Sequence, residues 1–299
     1  MKLLHVVRKR GGGIGRYLSI LETLDEEVWE VERRGPPPRG YDLLVVHGVI
    51  PEIAHHPATK MYYFHGLRAV SPRILSGKWE FNPIHIARFR RFRRYLSLFS
   101  ALIFPTEAMR ETARRLYGVD GEVLYLPFPR EIEPVEVVPE GRLLLWVGRE
   151  AWIKGYDTLL SVAARLPEWR FVVVGVGRGK KVPPNVEVLG KVPSDRLTDL
   201  YGEATFTLIT SRYESFSYAA LESMAAETPV LVLNRAGGAA EMVRRIGPGR
   251  VFGTVEEMVE YLRAYSGERF MGKGSGSLLS PGRHLKALYS LAEMVLNPP

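Results

Sequence analysis

The chain has 299 residues, of which 46% are hydrophobic and 25% charged, the composition of a globular protein long enough for two domains. It contains no cysteine, which excludes disulfides, thiolate catalysis and cysteine-ligated zinc. No apolar run approaches the roughly 18 residues that a membrane-spanning helix needs. The first residues predict a strand and not a signal peptide, so we expect a cytoplasmic protein with a formal net charge of +8.

The first predicted strand ends in a glycine-rich loop at residues 8–16, and a helical pattern follows at 17–24. Loops of this kind let backbone N–H groups approach a phosphate or a sugar, which makes Gly12 and Gly13 candidate binding residues. Arg16 stands where a dinucleotide-binding fingerprint has its last glycine, so that fingerprint is not supported. The alternative is a tight turn without a ligand.

Two further predicted strands, at 41–47 and 60–64, end in the histidine–glycine pairs that begin at His47 and His65. Neither histidine has a metal-like partner four residues away, and a structural role is the alternative for both. A proline-stiffened loop at 32–40 precedes the first of these strands.

The most basic part of the chain lies at residues 68–94. Apolar residues interleave with the cations at three- and four-residue spacing, which predicts a basic amphipathic helix. Its predicted apolar positions are Ile86, Phe89, Phe92 and Leu96. Three interpretations stay open for Arg88–Arg94: a solvated face, a contact with anionic membrane, and a contact with a charged acceptor. Nucleic acid is disfavoured because no binding motif accompanies the charge.

A strand at 101–105 and a helix at 106–117, with Thr106 as its N-cap, complete the predicted first half. The proline-rich stretch at 127–139 has the composition of a linker. We therefore expect an α/β protein with an N-terminal domain at 1–134 and a C-terminal domain at 135–299.

The second half begins with a buried strand at 142–147, followed by Arg149 and Lys154. Two cations just beyond a strand end can neutralise a diphosphate in its bound and its leaving form, although isolated cations are more often solvated. The next predicted strand runs at 171–177 and contains Gly175 in its glycine turn. The following elements are a strand at 186–190, a helix at 194–201 capped by Ser194, helical residues from 256, a loop at 272–277 and a last helix at 285–296.

The stretch at 205–241 has the strongest pattern in the chain. It predicts a strand, a polar corner containing Glu214, a helix at 217–226 containing Glu222, a second strand and the loop Gly237–Gly238. In open α/β sheets, ligands bind beyond the carboxyl ends of the strands. Free N–H groups at the helix start would hold a phosphate between the two carboxylates. Those N–H groups belong to Phe216, Ser217 and Tyr218.

The same stretch resembles the signature of glycosyltransferase family 4, in which two glutamates with seven residues between them follow a strand of the nucleotide-binding domain. The matching positions are Glu214, Phe216, Glu222, Met224, Ala225, Pro229, Val230, Gly237, Gly238 and Glu241. Ser217 and Glu227 replace glycines of the pattern, and Ser223 replaces an alanine. Arg149 and Lys154 resemble the family's donor-diphosphate site, and the first glycine loop and His65-Gly66 resemble elements of its other domain.

This resemblance implies two Rossmann-like domains facing a cleft, the GT-B type. It also implies retaining transfer of a sugar from a nucleotide-diphosphate sugar to a glycan, lipid or other acceptor, without a bound metal or further cofactor. Glu214 would position the donor sugar, Glu222 would bind the ribose, Gly175 would lie where the base is read, and His65 would serve the reacting centre. A non-catalytic nucleotide-sugar or anionic-surface binding protein and a nucleotide-sugar epimerase are the alternatives.

Overall fold

The computed structural model describes residues 1–66, 83–179 and 181–298. Of these, residues 1–66, 83–129 and 277–298 form one compact unit and residues 130–276 form another. The basic stretch at 67–82 lies outside the described residues.

The first unit is built on a parallel six-stranded sheet of order β2-β1-β3-β4-β5-β6, counted over the described residues. Its strands are β1 (Leu3–Val7), β2 (Val28–Glu30), β3 (Leu43–His47), β4 (Thr59–Tyr63), β5 (Ala101–Phe104) and β6 (Glu122–Val123). The helices with it are α1 (Gly12–Glu22), α2 (Val31–Arg34), α3 (Pro83–Leu96), α4 (Glu107–Tyr117) and α10 (Pro281–Leu296). Every residue of β1 and β3 is buried, because the inner strands of a parallel sheet are covered on both faces.

The second unit has a parallel sheet of order β10-β9-β8-β11-β12-β13, again six strands within the described residues. Its strands are β8 (Leu143–Val147), β9 (Arg170–Val174), β10 (Val186–Gly190), β11 (Phe206–Ile209), β12 (Val230–Leu233) and β13 (Gly249–Phe252). The strands β7 (Glu136–Val137) and β14 (Phe270–Met271) form a separate antiparallel pair. The helices are α5 (Tyr156–Ala164), α6 (Ser194–Glu203), α7 (Tyr218–Ala225), α8 (Gly238–Ile246) and α9 (Val255–Ala264).

The strand order of the second unit defines where its ligand site belongs. Read from its first strand, β8, the sheet grows outward through β9 and β10 on one side and through β11, β12 and β13 on the other. This is the doubly wound order of dinucleotide-binding folds, and its direction reverses between β8 and β11. The crevice beyond the carboxyl ends of these two strands is therefore the expected site.

The α/β fold class with parallel sheets is confirmed. Thr106 caps α4 as predicted, accepting a hydrogen bond from the Met109 amide at 3.1 Å. The final helix α10, expected in the domain at 135–299, packs against β4 of the first sheet. Its His284 lies 3.0 Å from the Tyr17 hydroxyl, so the last helix belongs to the first unit.

Several predicted element ends differ from the structure. Helix α1 begins at Gly12, five residues earlier than predicted, because Gly11 can act as its N-cap without a side chain. Pro193, not Ser194, is the N-cap residue of α6. The residues after Gly237 continue as α8 where a loop was predicted. Strand β2 and the short helix α2 were not predicted, and α2 occupies part of the predicted loop at 32–40.

Glu227 ends α7 in a left-handed conformation, with a φ of +57°. This conformation favours glycine, because a β-carbon there meets the following carbonyl oxygen. The side chain of Glu227 is exposed, so little contact is lost on its removal. We expect Glu227→Gly to raise the free energy of unfolding by about 1 kcal/mol in urea titrations. Glu203, at the end of α6, has ordinary helical geometry, so Glu203→Gly should lower the free energy of unfolding. Equal destabilisation by both changes would contradict strain at Glu227.

Candidate functional site

The polar groups of the second unit meet where β8 and β11 end. Arg149 follows β8 and is exposed, and Lys154 closes the short turn Trp152–Lys154. The polar corner that contains Glu214 follows β11. Because β8 and β11 are paired and parallel, these segments leave the sheet at the same edge.

A cation and a carboxylate form the centre of this site. The Lys154 ammonium lies 2.6 Å from Oε1 of Glu214, and the Ser211 hydroxyl donates to the same oxygen at 2.7 Å. The side chains of Lys154 and Glu214 are 29% and 12% exposed, so the pair is partly shielded and still reachable from solvent. Short charge-assisted bonds of this kind fix orientation, and Glu214 is therefore preorganised.

Arg212 joins the corner to the turn after β8. Its backbone N–H donates to the Ile153 carbonyl at 2.8 Å. Its guanidinium donates to Asp157 at 2.7 Å and lies 4.4 Å from the ring centre of Trp152. The hydrogen bond from Arg212 lowers the pKa of Asp157 below its ordinary value, so this carboxylate stays ionised. These contacts thus hold together the two loops that carry Lys154 and Glu214.

Gly155 allows the two loops to approach this closely. Its φ is +68°, and a β-carbon there would lie 2.1 Å from the carbonyl oxygen of Thr210. The Thr210 hydroxyl donates to the Gly155 carbonyl at 2.8 Å and lies 3.0 Å from the indole nitrogen of Trp146, which donates to it. This buried network holds the end of β11 against the loop after β8.

The N-terminus of α7 lies directly beyond the corner. Ser217 is its N-cap, and its hydroxyl accepts from the Ala220 amide at 3.3 Å. Its φ of −139° is ordinary extended backbone, so the glycine that the family pattern has here is not required. The side chain supplies a helix cap instead. The first N–H groups of a helix bind anions readily, and this end of α7 is the phosphate position that the sequence predicts.

Glu222 points from α7 toward α6. The Tyr201 hydroxyl of α6 donates to its Oε2 at 2.9 Å, so a residue of the neighbouring helix fixes the orientation of the carboxylate. The next residue, Ser223, is fully buried and its hydroxyl lies 2.8 Å from both the Thr207 hydroxyl and the Thr228 carbonyl. Ser223 therefore ties α7 to β11, which explains the serine at a position where the family has alanine.

Gly238 supports the corner from the other side. Its amide donates to the Glu214 carbonyl at 2.9 Å, and the Glu214 amide donates to Ala236 at 3.1 Å. A β-carbon at Gly238 would lie 2.5 Å from the carbonyl oxygen of Ser215. The loop after β12 thus positions the backbone of Glu214, which gives a physical reason for the second glycine of the motif.

Sequence reasoning missed a further cation and the partners of both glutamates. Arg235 follows β12, the neighbour of β11, and its guanidinium donates to Thr158 at 3.2 Å. Burial, with a contribution from Arg212, lowers the pKa of Arg235. Its position two residues past the end of a predicted strand was the available signal. Nothing in the spacing of the chain indicated Ser211 or Tyr201 as partners.

Gly175, predicted to lie near the base, also has a packing role. Its φ is +92°, and a β-carbon would lie 2.6 Å from the Gly148 carbonyl oxygen. Its amide donates to Gly190 at 2.7 Å. Glycine is therefore required here to bring together the loops after β8, β9 and β10.

The remaining predicted site residues belong to the first unit. Gly12 and Gly13 form the exposed first turn of α1, and Gly12 has a φ of +53° that favours glycine. His65 follows β4 and lies 2.9 Å from a ring nitrogen of His47, so the two strand-end histidines are joined. Their roles toward a ligand stay predictions.

Helix α3 confirms the amphipathic pattern in part. Phe92 and Leu96 are each 3% exposed, whereas Ile86 is 36% exposed and does not face the core. The five arginines of the segment are exposed. They are Arg88, Arg90, Arg91, Arg93 and Arg94.

Within residues 1–66, 83–179 and 181–298, no group of three histidines or carboxylates is arranged to hold a metal ion. Within the same ranges, none of the helices combines the length and the apolarity that a bilayer crossing requires.

Comparison with known proteins agrees with this geometry. Residues 128–266, somewhat under half of the chain, match the family of glycosyl transferases group 1. A D-inositol 3-phosphate glycosyltransferase of Acidothermus cellulolyticus is 34% identical over 128 residues, which cover 35% of this chain and 28% of that protein. The chain thus matches only about a third of the length of such curated relatives.

Solved structures extend the similarity of fold to the whole chain. The sucrose-phosphate synthase of Thermosynechococcus elongatus superposes with a TM-score of 0.64 at 14% identity, covering 99% of this chain and 97% of that one. HepE of Anabaena in complex with UDP-glucose gives a TM-score of 0.62 at 15% identity, covering 88% and 89%. At such identities the likeness shows the fold.

The doubly wound second unit and the likeness to the solved neighbours show a fold of the GT-B type. The resemblance read from the Glu214–Glu222 motif is confirmed by the match of residues 128–266 to the family of glycosyl transferases group 1.

Proposed function

We propose that the protein is a retaining glycosyltransferase that uses a nucleotide-diphosphate sugar. The observation that carries this proposal is the Lys154–Glu214 pair, held by Ser211 at the point where the strand order reverses and next to the N-terminus of α7. A site that offers a cation, helix N–H groups and an oriented carboxylate matches a donor made of a diphosphate joined to a sugar. A nucleotide sugar bound to a structural neighbour of the same fold supports this choice of donor.

In this proposal the diphosphate lies on the N–H groups of Phe216, Ser217 and Tyr218, with Arg149 and Lys154 as its cations. Lys154 then has two partners, because its three N–H donors can serve both a phosphate oxygen and Glu214. Transfer breaks the bond between the anomeric carbon and the diphosphate oxygen, so negative charge grows on the diphosphate. Cations already in place stabilise that charge without reorganisation.

Glu222 is proposed to accept hydrogen bonds from the ribose hydroxyls. Tyr201 orients its carboxylate through Oε2, and a carboxylate has enough lone pairs for further donors. Glu214 is proposed to bind sugar hydroxyls in the same way. The acceptor, the sugar and the base are outside what these residues specify.

Thermal denaturation with a panel of nucleotide sugars, nucleoside diphosphates and nucleoside monophosphates tests donor binding. A ligand that binds only the folded chain stabilises it by about 2.7 kcal/mol at one hundred times its Kd. We expect stabilisation by at least one nucleotide sugar and by its nucleoside diphosphate, and less by the monophosphate. A protein stabilised by none of them would contradict the proposal.

Metal independence is a further part of the proposal, since Arg149 and Lys154 supply the positive charge that Mg²⁺ would otherwise bring. We expect the transfer rate to stay within about twofold of its original value after EDTA treatment and desalting. The control is an assay of the same sample with added Mg²⁺ or Mn²⁺. Loss of transfer on chelation with recovery on adding either ion would refute this part.

We also propose that the five exposed arginines of α3 bind an anionic membrane surface, as basic amphipathic helices do. Replacing Arg90, Arg91 and Arg94 by serine should abolish binding to acidic liposomes and leave nucleotide affinity unchanged. Binding of the unmodified protein should weaken steeply between 50 and 300 mM salt, values chosen to span about a 2.5-fold change in screening length. Equal binding to neutral vesicles, or no binding to either kind of vesicle, would refute the membrane contact and favour a solvated face for these arginines.

A further inference from the structure

Three histidines of the first unit form a continuous line. His5 lies in β1, His47 ends β3, and His65 follows β4. Nδ1 of His5 is 2.9 Å from Nε2 of His47, and Nδ1 of His47 is 2.9 Å from Nε2 of His65. β1 pairs with β3 and β3 with β4 in parallel, and each histidine lies two residues further along in register than the one before it, so the line runs diagonally across the three strands.

Water has little access to this line. His5 is 0% and His47 2% exposed, and the rings of Tyr17 and Tyr63 lie 5.3 Å and 5.8 Å from that of His47. Burial lowers the pKa of His5, and it lowers that of His47 further, with repulsion from the other histidines adding to the effect. Both rings are therefore neutral near pH 7, with one N–H and one lone pair each.

Neutral rings at these distances have coupled tautomers. Each nitrogen–nitrogen contact needs one N–H and one lone pair, so the proton position on one ring dictates that on the next. Only two arrangements satisfy both contacts. Either all three rings carry their proton on Nε2, or all three carry it on Nδ1.

Glu26 stands at the inner end of the line and distinguishes the two arrangements. Its Oε2 is 3.5 Å from Nε2 of His5, and its Oε1 accepts from the Tyr289 hydroxyl at 3.0 Å. The carboxylate side chain is only 7% exposed. An ionised carboxylate can only accept, and a lone pair on Nε2 of His5 would face its negative charge in a buried place. Glu26 therefore favours the arrangement in which His5 carries its proton on Nε2.

We propose that Glu26 sets the tautomer of His65 through His5 and His47. His65 then donates its Nε2–H to His47 and carries its lone pair on Nδ1, where it can accept a hydrogen bond from a hydroxyl or an amide N–H. Glu26, His5 and His47 are positioning residues in this scheme. The inference stands on contacts within the first unit and does not depend on the proposed sugar transfer.

A fourth buried histidine is a separate system beside this line. Nδ1 of His284 is 2.9 Å from the carbonyl oxygen of Tyr125, which can only accept, so His284 carries its proton on Nδ1. Its Nε2 then accepts from the Tyr17 hydroxyl at 3.0 Å. The tautomer of His284 is opposite to that expected for the other three, which makes it an internal reference.

The test is the ring-nitrogen NMR spectrum of the protein labelled with ¹⁵N-histidine, at pH 7.5. A protonated ring nitrogen and a lone-pair nitrogen have well separated shifts, and His65→Gln identifies the signals of His65 by their loss. We expect the proton of His65 on Nε2 and that of His284 on Nδ1. A proton on Nδ1 of His65 in the unmodified protein would overturn the proposal without any variant.

Glu26→Gln tests the role of the charge. The glutamine amide can accept from or donate to His5, so the preference weakens and His65 should show the Nδ1 tautomer beside the Nε2 tautomer. Tyr289→Phe is the matched control, because it removes the other hydrogen bond of Glu26 and keeps the charge; His65 should be unchanged. His47→Phe removes the middle ring and so interrupts the contacts between Glu26 and His65. His65 should again show the Nδ1 tautomer beside the Nε2 tautomer. A His65 that keeps its proton on Nε2 alone in both Glu26→Gln and His47→Phe would refute control by Glu26.

Discussion

Lys154→Ala should lower the rate of sugar transfer by on the order of 10²–10³ while weakening nucleotide binding much less. The reason is that the charge on the diphosphate grows as the glycosidic bond breaks, so the ammonium is worth more in the transition state than in the bound donor. The change also removes the 2.6 Å partner of Glu214, whose half-buried carboxylate then keeps only Ser211. Rate and affinity are measured separately, by turnover at saturating donor and by calorimetry.

The chain contains a matched control for this change. Arg170 and Glu187 form an ion pair of the same length, 2.6 Å, in the same unit. Arg170 opens β9, at the amino edge of the sheet, and its side chain is 67% exposed. Arg170→Ala should leave turnover and affinity unchanged. Equal losses of rate and affinity in Lys154→Ala would show that Lys154 only holds the donor.

Glu214→Gln should reduce transfer by on the order of 10² and leave affinity for the bare nucleoside diphosphate nearly intact. The glutamine keeps the shape and can still accept from Lys154 and Ser211, so the loss reports the charge that faces the sugar. Glu222→Gln should show the opposite bias, losing nucleotide affinity through the ribose. Both variants are compared by calorimetry with the nucleoside diphosphate and by transfer rate.

Glu187→Gln serves as the control for both carboxylates. Glu187 lies in β10, the strand at the edge of the sheet, and forms an ion pair with Arg170 of β9. Its replacement should change neither quantity. Glu214 would lose its assigned role if Glu214→Gln weakened binding of the bare diphosphate as much as it slowed transfer. Glu222 would lose its role if its variant bound the nucleotide as tightly as the unmodified protein.

The local order of elements around the site was predictable because its signals are local. An apolar run, a polar corner and a helix with several alanines place Glu214 and Glu222 correctly, and the structure has β11 and α7 there. Thr106 as an N-cap is equally local, since its hydroxyl reaches an amide three residues away. Predictions of this kind need only short-range geometry.

Glycines misled the prediction in two places, because the same residue serves turns, caps and close contacts. Gly237–Gly238 predicted a loop, yet Gly238 begins α8 and is required by its approach to Ser215. Gly12 and Gly13 predicted a loop and form the first turn of α1. Conversely, Ser217 was treated as a departure from glycine, whereas its backbone needs none and its hydroxyl caps α7.

The contacts that make the site specific lie between residues far apart in the chain. Lys154 and Glu214 are 60 positions apart, and Tyr201 and Glu222 are 21 apart. His284 reaches Tyr17 across 267 positions, which is why the last helix could not be assigned to the first unit from its own pattern. No periodicity encodes such pairs, since they follow from the arrangement of whole strands and helices.

The activity that we propose for this chain is transfer of a sugar from a nucleotide-diphosphate donor with retention. Its sharpest test incubates the protein with the nucleotide sugar that stabilises it and with a panel of sugar, lipid and polyol acceptors, and follows both products by NMR. We expect acceptor-dependent release of the nucleoside diphosphate, with a product whose new anomeric centre has the configuration of the donor. A donor that binds but is transferred to no acceptor, or a product of inverted configuration, would refute the proposed activity.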